Sequence, residues 1–249
     1  MYQFMKMIKK DFSLIVPCYN EGPTFETSVS KIIRELNSIK KKWEIVFVED
    51  KSTDATKESI SKIINVNKNC KAIFHKKNLG RGAAVMDGIL VSRAPICGFI
   101  DVDCEISEKY ISIFLKEITA KNCDMVVAKR FYENSLASII RFIASKVYSF
   151  IAHMVLPLPI YDTEAGYKFF KSAKIKPILK TVKDKRWFWD TEVCARAYWA
   201  GLKISEVPVL FIRRKDKKST VRVIPDSIEY LKKLVAFRMG ARQIHSNAK

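Results

Sequence analysis

Residues 99–106 read FIDVDCEI. An apolar run ends at Asp101 and Asp103, and Glu105 follows at the next alternate position. Side chains of an extended strand alternate between faces, so these three carboxylates are expected on one side if the strand runs on through them. Carboxylates that close repel one another unless a cation or basic group compensates. Hard divalent cations such as Mg²⁺ or Mn²⁺ take oxygen ligands and often bind one or two carboxylates together with substrate phosphates. The competing reading is an acidic turn that caps the next helix, with Ser107 or Glu108 near its start.

Working outward, the run is one of a series. FSLIVPC (12–18), WEIVFVE (43–49), CKAIFH (70–75), ICGFIDV (96–102) and CDMVVAK (123–129) read as strands. Between them, PTFETSVSKIIRELNSIKKK (23–42), STDATKESISKIINVN (52–67), GRGAAVMDGILVSR (80–93) and SEKYISIFLKEIT (107–119) carry helical spacing. Ser52 or Thr53 is the expected cap of the second helix, and glycines open the third. This alternation predicts an α/β sandwich with a mainly parallel central sheet flanked by helices. The strands are continuous apolar runs, as expected where both faces of a sheet are covered. Ligands of such sheets sit at the carboxyl ends of the strands, which is where the polar motifs fall.

The pattern changes near residue 131. Residues 136–155 place Leu136, Ile139, Ile140, Ile143, Val147, Phe150, Ile151 and Met154 on one helical stripe, with basic and polar residues opposite. The stripe reads either as an interfacial helix or as an ordinary core helix. KISEVPVLFI (203–212) is a further strand, and Pro208 inside it predicts an edge position. Residues 226–239 read as a basic amphipathic helix.

The 249 residues, 48% of them hydrophobic, suffice for one substantial core. Six cysteines without a C-x-x-C pair read as buried thiols rather than a zinc or redox motif. A formal net charge of +19 favours anionic partners: nucleic acid, an acidic membrane surface or phosphorylated substrates. Nucleic acid is not expected, because no basic patch interleaved with aromatic residues and no reading helix is evident. The start, MYQFMKMIKKD, does not read as a signal peptide. The longest apolar candidate for a membrane span, residues 147–161, falls short of the roughly 20 residues a helix needs.

Two more stretches bear on chemistry. In VEDKST (48–53), Glu49 and Asp50 end a strand, either to brace the following turn or to accept hydrogen bonds from a base or ribose. In KKNLGRGAAVMDG (76–88), two glycines and Arg81 open a helix, where phosphate is attracted. Val85 stands where a dinucleotide fingerprint needs its third glycine, and no Walker lysine pattern is present.

VPCYNE (16–21), VEDKSTD (48–54), NLGRGAAV (78–85) and DVD (101–103) occur in one order and spacing. Together they resemble family 2 nucleotide-sugar glycosyltransferases of the GT-A fold. DTEAGYKFFKS (162–172), RWFWDTEV (186–193) and ISEVPVLFIRRKDKKST (204–220) look like the synthases of dolichyl-phosphate glucose and dolichyl-phosphate mannose, the glucose branch slightly closer. In that family the first of these motifs is usually D-T-Q-C-G-F-K or D-P-T-S-G-F-R.

The resemblance implies one GT-A domain: a nucleotide-sugar half over 12–130, an acceptor and interface half over 131–223, and a basic helix and tail over 224–249. It implies that Pro17, Tyr19, Glu21, Val48 and Asp50 line the nucleotide pocket. Asp101 and Asp103 would meet the diphosphate and Val102 the nucleotide through its backbone, with Asp103, Glu105 and Asp101 as the metal set for Mg²⁺ or Mn²⁺. Arg130 and Arg214 would hold the sugar phosphate, and Arg214, Lys218 and Ser219 the acceptor phosphate. Asp190 stands where many relatives carry a base, or else it caps the helix TEVCARAYWA. The implied activity is inverting transfer of glucose or mannose from UDP-glucose or GDP-mannose to dolichyl or another polyprenyl phosphate. The implied place is the cytoplasmic face of a membrane, held peripherally by an anionic surface or a membrane partner protein. Another lipid or glycan acceptor is the alternative within the family. Two departures stand out: Thr220 follows Ser219 where mannose synthases have lysine, and Lys51 replaces a glycine in a turn that can need an uncommon backbone angle.

Overall fold

A computed structural model of the protein describes residues 10–132, 155–213 and 223–246, apart from the side chains of 223–227 and 241–246. The 136–154 part of the apolar stripe, and Arg214, Lys218 and Ser219, lie outside the described residues.

The apolar runs form strands. β1 (Phe12–Cys18), buried along its whole length, pairs in parallel with β2 (Trp43–Glu49) on one side and β4 (Ile96–Ile100) on the other. β3 (Cys70–Phe74) extends the sheet beyond β2. Past β4 come β6 (Tyr167–Lys171), β5 (Met125–Tyr132) and β7 (Ile204–Phe211), giving seven strands in the order β3-β2-β1-β4-β6-β5-β7. β6 is antiparallel to both neighbours, and every other pairing is parallel. The mainly parallel sheet is therefore as expected, and β7 lies at an edge, where Pro208 costs no ladder bond.

The helices cover both faces. α1 (Phe25–Ser38), α2 (Thr56–Val66) and α4 (Tyr110–Ala120) bury Val29, Ile32, Leu36, Ile60, Phe114 and Ile118 against one side. α3 (Arg81–Val91), α5 (Ser172–Leu179), α6 (Trp189–Trp199) and α7 (Val223–Ser246) cover the other, around Phe99, Phe170 and Trp189. Alternation along β6 sends Tyr167 and Phe169 into the first core and Phe170 into the second. α7 packs on α6: Tyr230 and Phe237 meet Phe188 edge-on, and Lys233 pairs with Asp184 at 2.7 Å.

All six cysteines are free, and five of them are buried. Among the described residues, no helix is long and apolar enough to cross a membrane.

Candidate active site

The carboxyl ends of β1, β2 and β4 lie side by side, and the loops that follow them interlock. Asn20 donates its backbone N–H to Ser52 Oγ, Glu21 to Thr56 Oγ1 and Gly22 to Asp54. Asp54 also accepts the Thr56 N–H at 3.0 Å, so it, rather than Ser52 or Thr53, serves the start of α2. Lys51 adopts φ of 64°, the left-handed conformation that its glycine-type position called for. Glu49 braces that turn by accepting the Ser52 N–H.

Asp50 is buried, and its carboxylate is fully engaged. Leu79 N–H and Gly80 N–H donate to it at 2.8 Å each, and His75 Nδ1 lies at 2.7 Å. The residue thereby fixes the entry to α3, where Gly80 has φ of 97° and a Cβ would sit 2.5 Å from the Lys185 carbonyl. Val48 sends its side chain into the core beneath α3, Pro17 is buried beside it in register, and Tyr19 is 40% exposed.

The acidic stretch after β4 differs from the expectation of continued alternation. The strand stops at Ile100, Cys104 N–H returns to the Asp101 carbonyl, and Cys104 takes φ of 54°. A turn, not strand pleat, gathers Asp101, Asp103 and Glu105. Val102 is buried in the core beneath it. Burial, then the charges of Asp101 and Glu105, and lastly Glu21, push the Asp103 carboxyl up to about 7, against one hydrogen bond from Glu105 N–H. Ser107 Oγ accepts Lys109 N–H ahead of α4, so part of the capping alternative is also present. Among the described residues, no group of three or more His, Cys, Asp or Glu is arranged to hold a metal ion by itself.

On the other face, Arg81 joins two carboxylates. Its Nε donates to Asp101 at 2.8 Å and its Nη1 to Asp190 at 2.7 Å. Burial opposes its charge, but Asp101 and Asp190 outweigh burial and hold its pKa above the ordinary value. Asp190, 2% exposed, receives a second cation: Lys168 Nζ at 2.6 Å. Lys168 is fully buried and also donates to the Ala165 carbonyl. Asp190 therefore lies inside the first turn of α6 as the centre of a buried ion network, and not at its cap. Asp184 takes the capping part by accepting Trp189 N–H at 3.1 Å. Gly166 completes the arrangement, because a Cβ there would collide with Asp101 Oδ2 and crowd Arg81.

Arg130, near the end of β5, is held by Asp162 through Nε at 2.7 Å and Nη2 at 2.9 Å, a two-pronged pair. Burial opposes both charges, yet the pairing raises the Arg130 pKa and lowers that of Asp162. Tyr230 of α7 ties in behind the site through Thr191 at 2.5 Å, and Thr191 meets Thr163 at 2.8 Å.

Lys168 and Asp162 were not legible as site residues from spacing alone. Both lie in the DTEAGYK motif, whose resemblance was the available signal.

Comparison with known proteins completes the picture. The model for glycosyl transferase family 2 matches residues 13–179. A dolichyl-phosphate beta-glucosyltransferase of Trichomonas vaginalis is 30% identical over 93% of this chain and 75% of its own. Glycosyltransferase AglD of Haloferax volcanii is 24% identical over 84% of this chain, which spans only 34% of that protein. Glucosyl-3-phosphoglycerate synthase from Mycobacterium tuberculosis, solved with Mn²⁺, uridine diphosphate and glucosyl-3-phosphoglycerate, superposes with a TM-score of 0.67 at 16% identity, over 93% of this chain and 80% of that one. That likeness concerns the fold, which is the GT-A fold anticipated from the four motifs. With the family model spanning the first six strands and the motifs seated at their ends, the chain belongs to glycosyl transferase family 2.

Proposed function

We propose that the chain transfers a hexose, glucose in the first instance, from a nucleotide sugar to a polyprenyl phosphate such as dolichyl phosphate, with inversion at the anomeric carbon. The observation that carries this reading is the state of Asp190. Arg81 takes one oxygen of this buried carboxylate and Lys168 the other, at 2.6–2.7 Å, so neither oxygen is open to accept a proton from a substrate hydroxyl. A site without a ready base suits an acceptor that arrives ionised, and a phosphate monoester does. The Trichomonas relative, a dolichyl-phosphate beta-glucosyltransferase, supports the same acceptor and favours glucose.

Asp103 and Glu105, with Asp101, are the residues that would hold Mg²⁺ or Mn²⁺. The fit rests on the turn that gathers the three: burial first, then the charges of Asp101 and Glu105, raises the Asp103 carboxyl, and a cation would relieve the repulsion part of that. One or two protein carboxylates suffice when donor diphosphate oxygens complete the shell, in keeping with the lack of a ready three-residue cluster among the described residues. The cation, when bound, supplies neutralisation of charge on the leaving nucleoside diphosphate. In this reading Pro17, Tyr19, Glu21 and the main chain of Val48 and Val102 border the nucleotide, and Asp50 shapes its pocket through the 78–80 loop. Arg130 stands at the sugar-phosphate end, and Arg214, Lys218 and Ser219 take the acceptor phosphate. Residues 12–130 form the donor half, 131–223 the acceptor half, and 224–249 a basic attachment helix and tail.

Attachment is peripheral, on the cytoplasmic face of a membrane. The net charge of +19 supports it, as do Ile228, Val235 and Met239, exposed along α7 among lysines. Each Lys or Arg near an anionic leaflet adds on the order of 1 kcal/mol.

The test is a donor screen. Purified protein is given short-chain dolichyl phosphate and UDP-glucose, GDP-mannose or UDP-GlcNAc, with Mn²⁺ or EDTA, beside Asp103→Asn. Lipid-linked glucose that disappears with EDTA and in the variant is the expected result. Transfer to soluble glycans instead moves the acceptor elsewhere, and neither transfer nor donor binding overturns the reading.

A further inference from the structure

His75 follows β3, and its side chain is 6% exposed. The proposed reaction gives it no part. Its backbone N–H donates to the Glu49 carbonyl at 2.9 Å, which sets the ring beside Asp50. Nδ1 lies 2.7 Å from Asp50 Oδ1. Both Asp50 oxygens already accept a backbone N–H, from Leu79 and Gly80, so the carboxylate stands as acceptor and Nδ1 as donor. The other nitrogen, Nε2, is buried without a hydrogen bond among the described residues and faces Asp87 Oδ2 of α3 at 3.2 Å. The imidazole thus sits between a carboxylate at the end of β2 and one on α3.

Three donors on two oxygens leave the Asp50 carboxylate little room to turn. Asp50 in turn holds Leu79 and Gly80, and its own carbonyl accepts Asn78 Nδ2 at 3.2 Å. The far side of this loop is pinned independently, because Ala83 N–H donates to the Lys185 carbonyl at 3.0 Å. Loss of the ring should therefore loosen Asp50 and residues 78–80 while Arg81 stays on its two carboxylates. A pocket already held in its bound form spends less of its binding energy on ordering, so the effect belongs to affinity.

We propose that His75 is a positioning residue of the donor pocket: its Nδ1–H locks Asp50, and through Asp50 the 78–80 loop, in the form that accepts the nucleotide. The role rests on the nucleotide-sugar reading of that pocket. It concerns ground-state binding of the donor and not the transfer step, since the ring reaches neither Arg81 nor the acidic turn through any of these contacts.

Asparagine carries its amide nitrogen near the place of Nδ1, and glutamine near that of Nε2. His75→Asn and His75→Gln are therefore both polar and differ in which contact survives. Calorimetry on the full chain with Mn²⁺ measures binding of uridine diphosphate and guanosine diphosphate, and transfer kinetics are read with the donor that the wild type uses. His75→Gln should raise the diphosphate Kd and the donor KM about tenfold, the size of one charge-assisted hydrogen bond, and keep kcat within about twofold. His75→Asn should return both constants to within about threefold of the wild type. A histidine that only fills space would lower the thermal midpoint of both variants alike and leave their Kd unchanged, and that result overturns the proposal. Equal loss of affinity in both variants, a fall in kcat at constant KM, or a His75→Gln chain that does not fold overturns it as well. A wild-type chain that binds neither diphosphate overturns the donor-pocket reading and this role with it. Wild-type binding that the variants leave unaltered overturns this role alone.

Discussion

Asp101 and Asp190 come from different elements, 89 positions apart in the chain by their numbering, and one guanidinium joins them: Arg81 lies 2.8 Å from the first and 2.7 Å from the second. The residue that looked like a phosphate-attracting cation at a helix start is thus an internal strut. It connects the acidic turn after β4 to the start of α6, so the two ends of the candidate site share one buried ion pair network.

Arg81→Lys should fail as a conservative change. An ammonium lacks the planar fork that reaches both carboxylates at once. Leaving Asp190 with one partner fewer in a buried setting should cost about 3–5 kcal/mol, the range for breaking a buried pair. Denaturant unfolding measures that loss, and transfer activity should fall with it. Unchanged stability would mean the bridge is not present in solution.

Asp190→Asn separates positioning from base catalysis. Loss of a general base typically costs 10²–10⁴-fold and removes the acidic limb of the pH–rate profile. Since Arg81 and Lys168 each occupy one oxygen of Asp190, that limb should persist in Asp190→Asn, and the defect should follow the geometry of α6 instead. In a double-mutant cycle, Lys168→Met and Asp190→Asn should couple by more than about 1 kcal/mol, since each leaves the other's group buried and unpaired.

Much of the first 130 residues was legible because parallel strands covered on both faces are unbroken apolar runs. Pro208 marked an edge strand, and Lys51 marked a left-handed turn, each through a local steric rule. β6 was not legible. Five residues reading YKFFK place a lysine at a fully buried position, and Asp190, 22 residues later, together with the Ala165 carbonyl makes that tolerable. The turn at Asp101–Cys104 stayed only the competing reading for a similar reason. Alternating carboxylates fit a strand equally well, and the left-handed Cys104 leaves no compositional mark. Arg130 was singled out only through the family resemblance, and its partner Asp162 depends on tertiary pairing.

Glu164 should give the protein a pH-dependent stability. Burial raises its carboxyl from 4.5 to about 7; Arg130 and a Tyr230 hydrogen bond pull it down, and Asp162 and Asp190 push it up. A group whose pKa folding raises binds its proton more tightly in the folded chain. Its contribution is therefore full below the unfolded pKa and is lost as pH rises through the folded one. Stability should decline between about pH 4.5 and 7, by at most about 3 kcal/mol from this residue. Glu164→Gln, which restores the glutamine of the D-T-Q-C-G-F-K form, should flatten that decline in urea unfolding at pH 5 and pH 8. An equal slope in both proteins would assign the dependence to other groups.

Gly166→Ala tests how tightly the acidic turn and the Arg81 strut are packed. The added methyl would meet Asp101 Oδ2 and stand 2.7 Å from Arg81 Nη2, with Asp101 N–H still held by the Gly166 carbonyl at 3.2 Å. The sheet has no freedom to shift there, because β6 is paired on both edges. Asp101 must move instead, and overpacking of this kind costs about 1–3 kcal/mol. Circular dichroism should show a folded chain with a lowered midpoint. Transfer should drop further than stability does, because Asp101 leaves the turn it shares with Asp103. A variant that keeps full activity would show that Asp101 can be displaced without harm, and would remove it from the set that meets the donor diphosphate.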